Sequence, residues 1–310
     1  HMLKLERLED PEALSGPQAS EAGRIAHLIL KTFYEELSNR NYFSGKPPPL
    51  DIDLLLKAIA ERAFREHEME NPVGYAVAWE IFQEDLMELL RHAVRQDVGE
   101  LLQNRSRPVA FEKAIGARLD PGWEPPLRNL SIQGTLDRID RLEPNRYRVI
   151  DYKVKTGNRA SPLDKNLLLA ALRGQRLQPP FYILLARSHL ASTTKPAPAI
   201  DAVFYFLAPG WRDGPLVTAS FPADAWEGEA GDQLKDTFSL LVKGVRDGRF
   251  FIQPGDYCRY CVVSEICRRS HVPSRWRAHG DARTAPHRNL RRKKLIKGPA
   301  DSEDNPLGQL

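Results

Sequence analysis

The chain has 310 residues, 42% hydrophobic and 28% charged, with a formal net charge of +4. That is ordinary globular usage, which excludes wholesale disorder and fibrous repeats. No apolar run approaches the roughly 18 residues of a membrane span; the richest, Phe181 to Ala186, is far too short, so no membrane partner is expected.

Taken in chain order, the first third reads as helical. Ser20 is placed as an N-cap before Glu21, and Ile25, Leu28, Ile29 and Phe33 recur at helical spacing. Gly45-Lys46-Pro47-Pro48-Pro49 forces a loop. A second helix is predicted over about 52–68, ended by Pro72, and a third over about 73–102, its stripe formed by Ile81, Phe82, Leu86, Leu89 and Leu90 around Asp85. After Pro108 the pattern changes. Val109 to Glu112 starts a strand, and Leu130 to Leu142 with Tyr147 to Val154 form a hairpin across the turn Glu143-Pro144-Asn145-Arg146. Residues 162–190 read as helix, 202–207 and 216–221 as strands, and 223–246 as a last long helix. This order predicts an α/β fold on a mixed central sheet flanked by helices, with a helical insertion at about 45–105. The domain is placed at 1–272 and a tail, predicted disordered, at 273–310. The tail is first basic, with a balance of +10 from Arg268 to Lys297, then acidic, with a balance of −3 from Gly298 to Leu310. Its basic part is either a phosphate contact or a solvated end.

The hairpin carries the sharpest chemistry. On a strand, Ile150, Tyr152 and Val154 share one face, Asp151 and Lys153 the other. Asp151 beside Lys153 alone would suit a plain salt bridge. Counting back through the turn, however, brings Asp137 close to Asp151. Two carboxylates together repel unless a divalent cation sits between them, and hard oxygen ligands favour Mg²⁺ or Mn²⁺.

Gly134-x-x-Asp137-Arg138-x-Asp140, then Val149-Ile150-Asp151-Tyr152-Lys153, then Gln178-x-Pro180-x-Tyr182, resembles the PD-(D/E)XK nuclease superfamily, and within it the nuclease domain of RecB/AddB helicase–nucleases. The resemblance covers roughly residues 3 to 272. It implies that Asp137 and Asp151 hold the catalytic Mg²⁺ and that Lys153 orients or activates the attacking water. It implies a further ligand from His27, in Gly23-Arg24-Ile25-Ala26-His27, and a supporting role for Gln178 and Tyr182, four apart on one helix face. One departure is Val154-Lys155 before Thr156-Gly157, where family members turn directly after the Lys. The products implied are a 5′-phosphate and a 3′-hydroxyl, from single-stranded DNA. Arg138, Arg141 and Lys155 are candidate DNA phosphate contacts.

Cys258-x-x-Cys261 and Cys267 are the three cysteines of the chain. An odd count with no disulfide framework fits a reducing, cytoplasmic setting. Their spacing resembles the end of the iron–sulfur staple of AddB-type domains, which implies a [4Fe–4S] cluster in a longer parent protein. The fourth cysteine of that staple lies upstream of a segment like Leu3 to Leu8. His1 before Met2 reads as a cloning remnant, so the site is expected to be incomplete or empty here. A Cys₃His zinc site with His271 and three inert thiols are the alternatives. The implied partners are DNA, the helicase portion of the parent chain and a partner subunit. No P-loop motif occurs in the chain, so an ATPase would lie elsewhere. Two rival functions stand beside the main one: a stand-alone iron–sulfur nuclease of the CRISPR-adaptation type, generally more compact, and a non-catalytic DNA-binding module.

Overall fold

Alternation along the strands sorts side chains into two layers, and the architecture follows from that sorting. The computed structural model describes residues 19–120, 122–154, 166–191, 197–207, 216–255, 257–258 and 261–293. Three helices come first: α1 (Ala19–Asn39), α2 (Ile52–Glu70) and α3 (Ala76–Gln103). Strands β1 (Arg107–Arg118), β2 (Ser131–Glu143) and β3 (Arg146–Val154) form an antiparallel meander. Helices α4 (Leu167–Leu172) and α5 (Gln178–Leu190) then cross over to β4 (Ala199–Leu207), which pairs parallel with β3. Antiparallel β5 (Val217–Phe221) and α6 (Gly228–Arg246) follow, giving a mixed five-stranded sheet in the order β1-β2-β3-β4-β5.

On β3, Ile150 and Tyr152 enter the core made by α1–α3, whereas Val149 enters the core made by α4–α6. On β4, Tyr205 and Leu207 face the first layer, Ala202, Phe204 and Phe206 the second. A period of two with both faces apolar is what a sheet buried between helical layers requires. Among the described residues, no helix is long and apolar enough to cross a membrane.

Local chemistry sets the element ends. Asp51 caps α2, its side chain accepting from the backbone N–H groups of Asp53 and Leu54. Pro179 and Pro180 occupy the first turn of α5, where no helical hydrogen bond is lost. Four expectations need correction. Ser20 lies within α1 rather than capping it. Ile81 is 55% exposed; the stripe keeps Leu86, Leu89 and Leu90 and is completed by Trp79, Val94 and Leu101. The helical stretch 162–190 is two helices, because Gly174 takes φ +70°, a left-handed turn open to glycine without strain; 155–165 lie outside the described residues.

The fourth correction concerns the tail. Residues 272–293 fold: α7 (Val272–Gly280) and α8 (Ala285–Leu290) are helical, and Thr284, His287 and Leu290 are buried. A side chain every third residue gives a narrow buried seam that the arginine-rich average conceals. The seam docks where α6 has no side chain: a Cβ at Gly244 would lie 2.8 Å from His287 Cε1. Residues 294–310 lie outside the described residues.

Candidate active site

The ladder between β2 and β3 ends at the pair Arg138–Ile150. Beyond it the strands part, and the Tyr152 N–H donates to Asp137 Oδ2 at 2.9 Å instead of to a ladder carbonyl. The site occupies this opening and is reached from both helical layers.

From the first layer comes His27 on α1. Its Nε2 lies 2.9 Å from the Tyr152 carbonyl. A carbonyl only accepts, so Nε2 is the donor there and Nδ1 is the nitrogen turned to the carboxylates. Nδ1 lies 3.4 Å from Asp137 Oδ2 and 3.6 Å from Glu112 Oε1. One ligand atom each from His27, Glu112 and Asp137 falls within 4.8 Å of the others. One peptide unit thus holds two of these side chains, Asp137 through the Tyr152 N–H and His27 through its carbonyl.

From the second layer come Gln178 and Tyr182 on α5. Asp151 Oδ1 accepts from Gln178 Nε2 at 2.7 Å and from the Tyr182 hydroxyl at 3.1 Å. Gln178 Oε1 accepts in turn from Lys153 Nζ at 2.9 Å, and Gln178 Nε2 also donates to the Tyr182 hydroxyl. The amide therefore has a fixed orientation and ties Asp151 to Lys153. Lys153 Nζ stands 2.6 Å from Asp151 Oδ2 and 4.8 Å from the centre of the Phe204 ring. Asp151 Oδ2 is buried, and the Lys153 ammonium is its partner.

The electrostatics are those of a carboxylate cluster short of positive charge. Burial, and then the neighbouring Asp151, push the Asp137 carboxyl up to about 7, although His27 and the Tyr152 N–H pull the other way. Burial likewise raises the Tyr182 hydroxyl, which therefore stays protonated as a donor to Asp151. A divalent cation fits this donor set. The His27 Nδ1, the Glu112 carboxylate and the raised Asp137, with the Asp151 carboxylate beside it, are donors whose mutual repulsion a cation relieves.

Six residues singled out in the sequence thus meet here: His27, Asp137, Asp151, Lys153, Gln178 and Tyr182. Glu112 was missed as a ligand. The register Phe111–Arg138 and Lys113–Leu136 sets it opposite Asp137, and its backbone takes φ +40°. A glutamate pays for that conformation with about 1 kcal/mol or more of strain, and like charges across a ladder add to the cost.

The three candidate DNA-binding residues fare differently. Arg138 is not a surface contact: it is 1% exposed. Its guanidinium donates to Asp140 Oδ1 and Oδ2 at 2.8 and 2.9 Å, to Asp97 Oδ1 at 3.0 Å and to the Tyr152 hydroxyl at 2.7 Å, and it stacks 4.2 Å over Tyr34. Asp137 turns toward the site, so its strand neighbour turns into the layer behind. Arg141 lies four residues further along β2, roughly 13 Å from Asp137 at strand rise, and donates to the Pro144 carbonyl. Lys155 lies outside the described residues.

The cysteines do not form a comparable centre. Cys258, Cys261 and Cys267 are free and half-buried. Among the described residues, the group of three His, Cys, Asp or Glu ligands gathered within 4.8 Å is the one at His27. Among the described residues the three thiols are not gathered within 4.8 Å of one another.

The family model of the PD-(D/E)XK nuclease superfamily matches residues 1–268. No curated protein matches the sequence. Among solved structures, the crystal structure of SSO0001 aligns over 83% of this chain and 90% of that one, at 12% identity and a TM-score of 0.33.

Proposed function

Because the chain belongs to the PD-(D/E)XK nuclease superfamily, whose members are generally nucleases, we propose that it is a divalent-metal-dependent deoxyribonuclease acting on single-stranded DNA, as the nuclease part of a RecB/AddB-type helicase–nuclease. One observation carries the chemical part of this reading: His27, Glu112 and Asp137 each bring a ligand atom within 4.8 Å of the others, and Asp137 is buried beside the carboxylate of Asp151. The helical segment between α1 and the sheet supports the helicase-linked type over the more compact stand-alone type.

His27, Glu112, Asp137 and Asp151 would hold Mg²⁺ or Mn²⁺, which when bound supplies a Lewis acid for the phosphodiester and lowers the pKa of a water. The protein supplies the rest. The Lys153 ammonium, fixed by Gln178 and Asp151, sets a positive charge where negative charge develops on the phosphate. Gln178 and Tyr182 hold Asp151 Oδ1, leaving Oδ2 directed into the site.

The test uses end-labelled linear and circular single-stranded DNA with Mg²⁺, Mn²⁺ or EDTA, beside Asp151→Ala. Metal-dependent cleavage, absent in the variant, is the expected result. Equal background cleavage by wild type and variant would overturn the reading and favour a DNA-binding module.

A further inference from the structure

We propose that the C-terminal helical segment forms a second nucleic-acid site, in which Trp276 stacks on an unpaired base of a single strand while arginines around it hold the phosphates. The choice of substrate rests on the nuclease reading; the site itself is separate from the carboxylate centre. It also lies largely beyond the family match, which ends at residue 268.

Three observations converge. The first is a cleft of about 380 Å³ walled by Phe251, Pro254, Val272 and Trp276. Phe251 is anchored against the buried His287, with ring centres 5.5 Å apart, so one wall is fixed. Trp276 is 74% exposed. An indole left in water beside a preformed apolar cleft has no packing role in the fold.

The second is charge. From Arg268 to Lys293 there are nine Lys and Arg against one acid, Asp281, and that acid is held by Arg283. Arg275 and Arg288 border the cleft. Arg288 is fixed by the Ala278 carbonyl at 2.8 Å, whereas the Arg275 guanidinium has no ion pair or hydrogen bond among the described residues. A flat aromatic face beside cationic side chains is how proteins take single strands regardless of sequence; duplex hides its base faces.

The third is placement. The Lys293 carbonyl accepts from Arg173 Nε at 2.9 Å. This ties the end of the basic segment to a point five residues before Gln178, a reach of at most about 18 Å of extended chain.

The test is fluorescence anisotropy of the full chain in EDTA with labelled dT12, an abasic oligomer of the same length and an oligoglutamate peptide. Trp276→Ala should weaken dT12 binding about tenfold or more and leave the abasic oligomer unchanged; Trp276→Phe should recover most of the loss. Arg275→Glu should weaken both oligomers and flatten their salt dependence. Unchanged dT12 binding by Trp276→Ala, or an equal loss on the abasic oligomer, would overturn the proposal. So would tighter binding of oligoglutamate that depends on Trp276, which would assign the cleft to an acidic protein. EDTA keeps cleavage out of this measurement. Binding that depends on Trp276 in a chain that never cleaves would refute the nuclease reading alone; cleavage without such dependence would refute this proposal alone.

Discussion

The raised Asp137 makes a quantitative prediction. Its carboxyl stands at about 7 in the folded protein against 3.8 for the ordinary group. The sign follows from linkage. A carboxyl raised on folding binds a proton more tightly in the native state, so its contribution is complete at acid pH and is lost as pH climbs to 7. Three units correspond to about 4 kcal/mol over the whole span, of which about 3 kcal/mol falls between pH 5 and pH 8. Asp137→Asn removes the titration yet leaves an oxygen to accept from the Tyr152 N–H. In EDTA, urea unfolding should show wild type losing stability relative to Asp137→Asn by about 3 kcal/mol from pH 5 to pH 8. The two should be nearly equal only below about pH 4, wild type being already about 1–2 kcal/mol lower at pH 5. Mg²⁺ at pH 8 should narrow the gap by stabilising wild type alone, and the variant should cleave nothing. A difference between wild type and variant that stays flat with pH would refute the electrostatic account of the site.

Other consequences are equally direct. Lys153→Ala should lower the cleavage rate at least about hundredfold with little change in melting temperature, because the ammonium is a third exposed and acts on developing charge rather than on the core; single-turnover assays and a thermal melt together decide it. Arg138→Ala should cost about 3–5 kcal/mol in urea unfolding, since it strands the buried Asp97 and Asp140. Gly244→Val should push His287 and with it α8 off α6, seen as faster tryptic removal of residues beyond about 268 while residues 19–246 stay resistant.

Most of the active site was legible because it is written in short, closely spaced motifs. Asp151 and Lys153 are two apart on one strand, Asp137 follows from the hairpin turn, and Gln178 and Tyr182 share a helix face. Arg138 was misread for a reason the sequence itself contains. On a strand, the residue after a site carboxylate points to the opposite layer, and Asp140, two on, marks that side as polar and buried. Glu112 was out of reach, because its role depends on a register between strands separated by a twelve-residue loop and on a left-handed backbone at one residue. The folded tail was missed because three seam residues in a run of arginines do not move an average.

The buried charges behind the site bear on how this fold can diverge. Helix α3 meets the sheet's arginines within one turn: Asp97 takes Arg138, and Glu100 takes Arg148 at 2.7 Å. Tyr34 of α1 donates to the same Asp97, and Arg138 holds the Tyr152 side chain, whose own peptide group grips His27 and Asp137. The charged ties of α3 to the sheet thus sit in a single turn, and the rest of the α2–α3 pair is held by apolar packing. Its outward residues, its 71–75 connection and its length can drift with little effect on the catalytic groups. A change at Asp97, which never touches them, would be felt there at once. Variation over this lineage should thus accumulate on the outside of the helical layer and stop at one polar bolt.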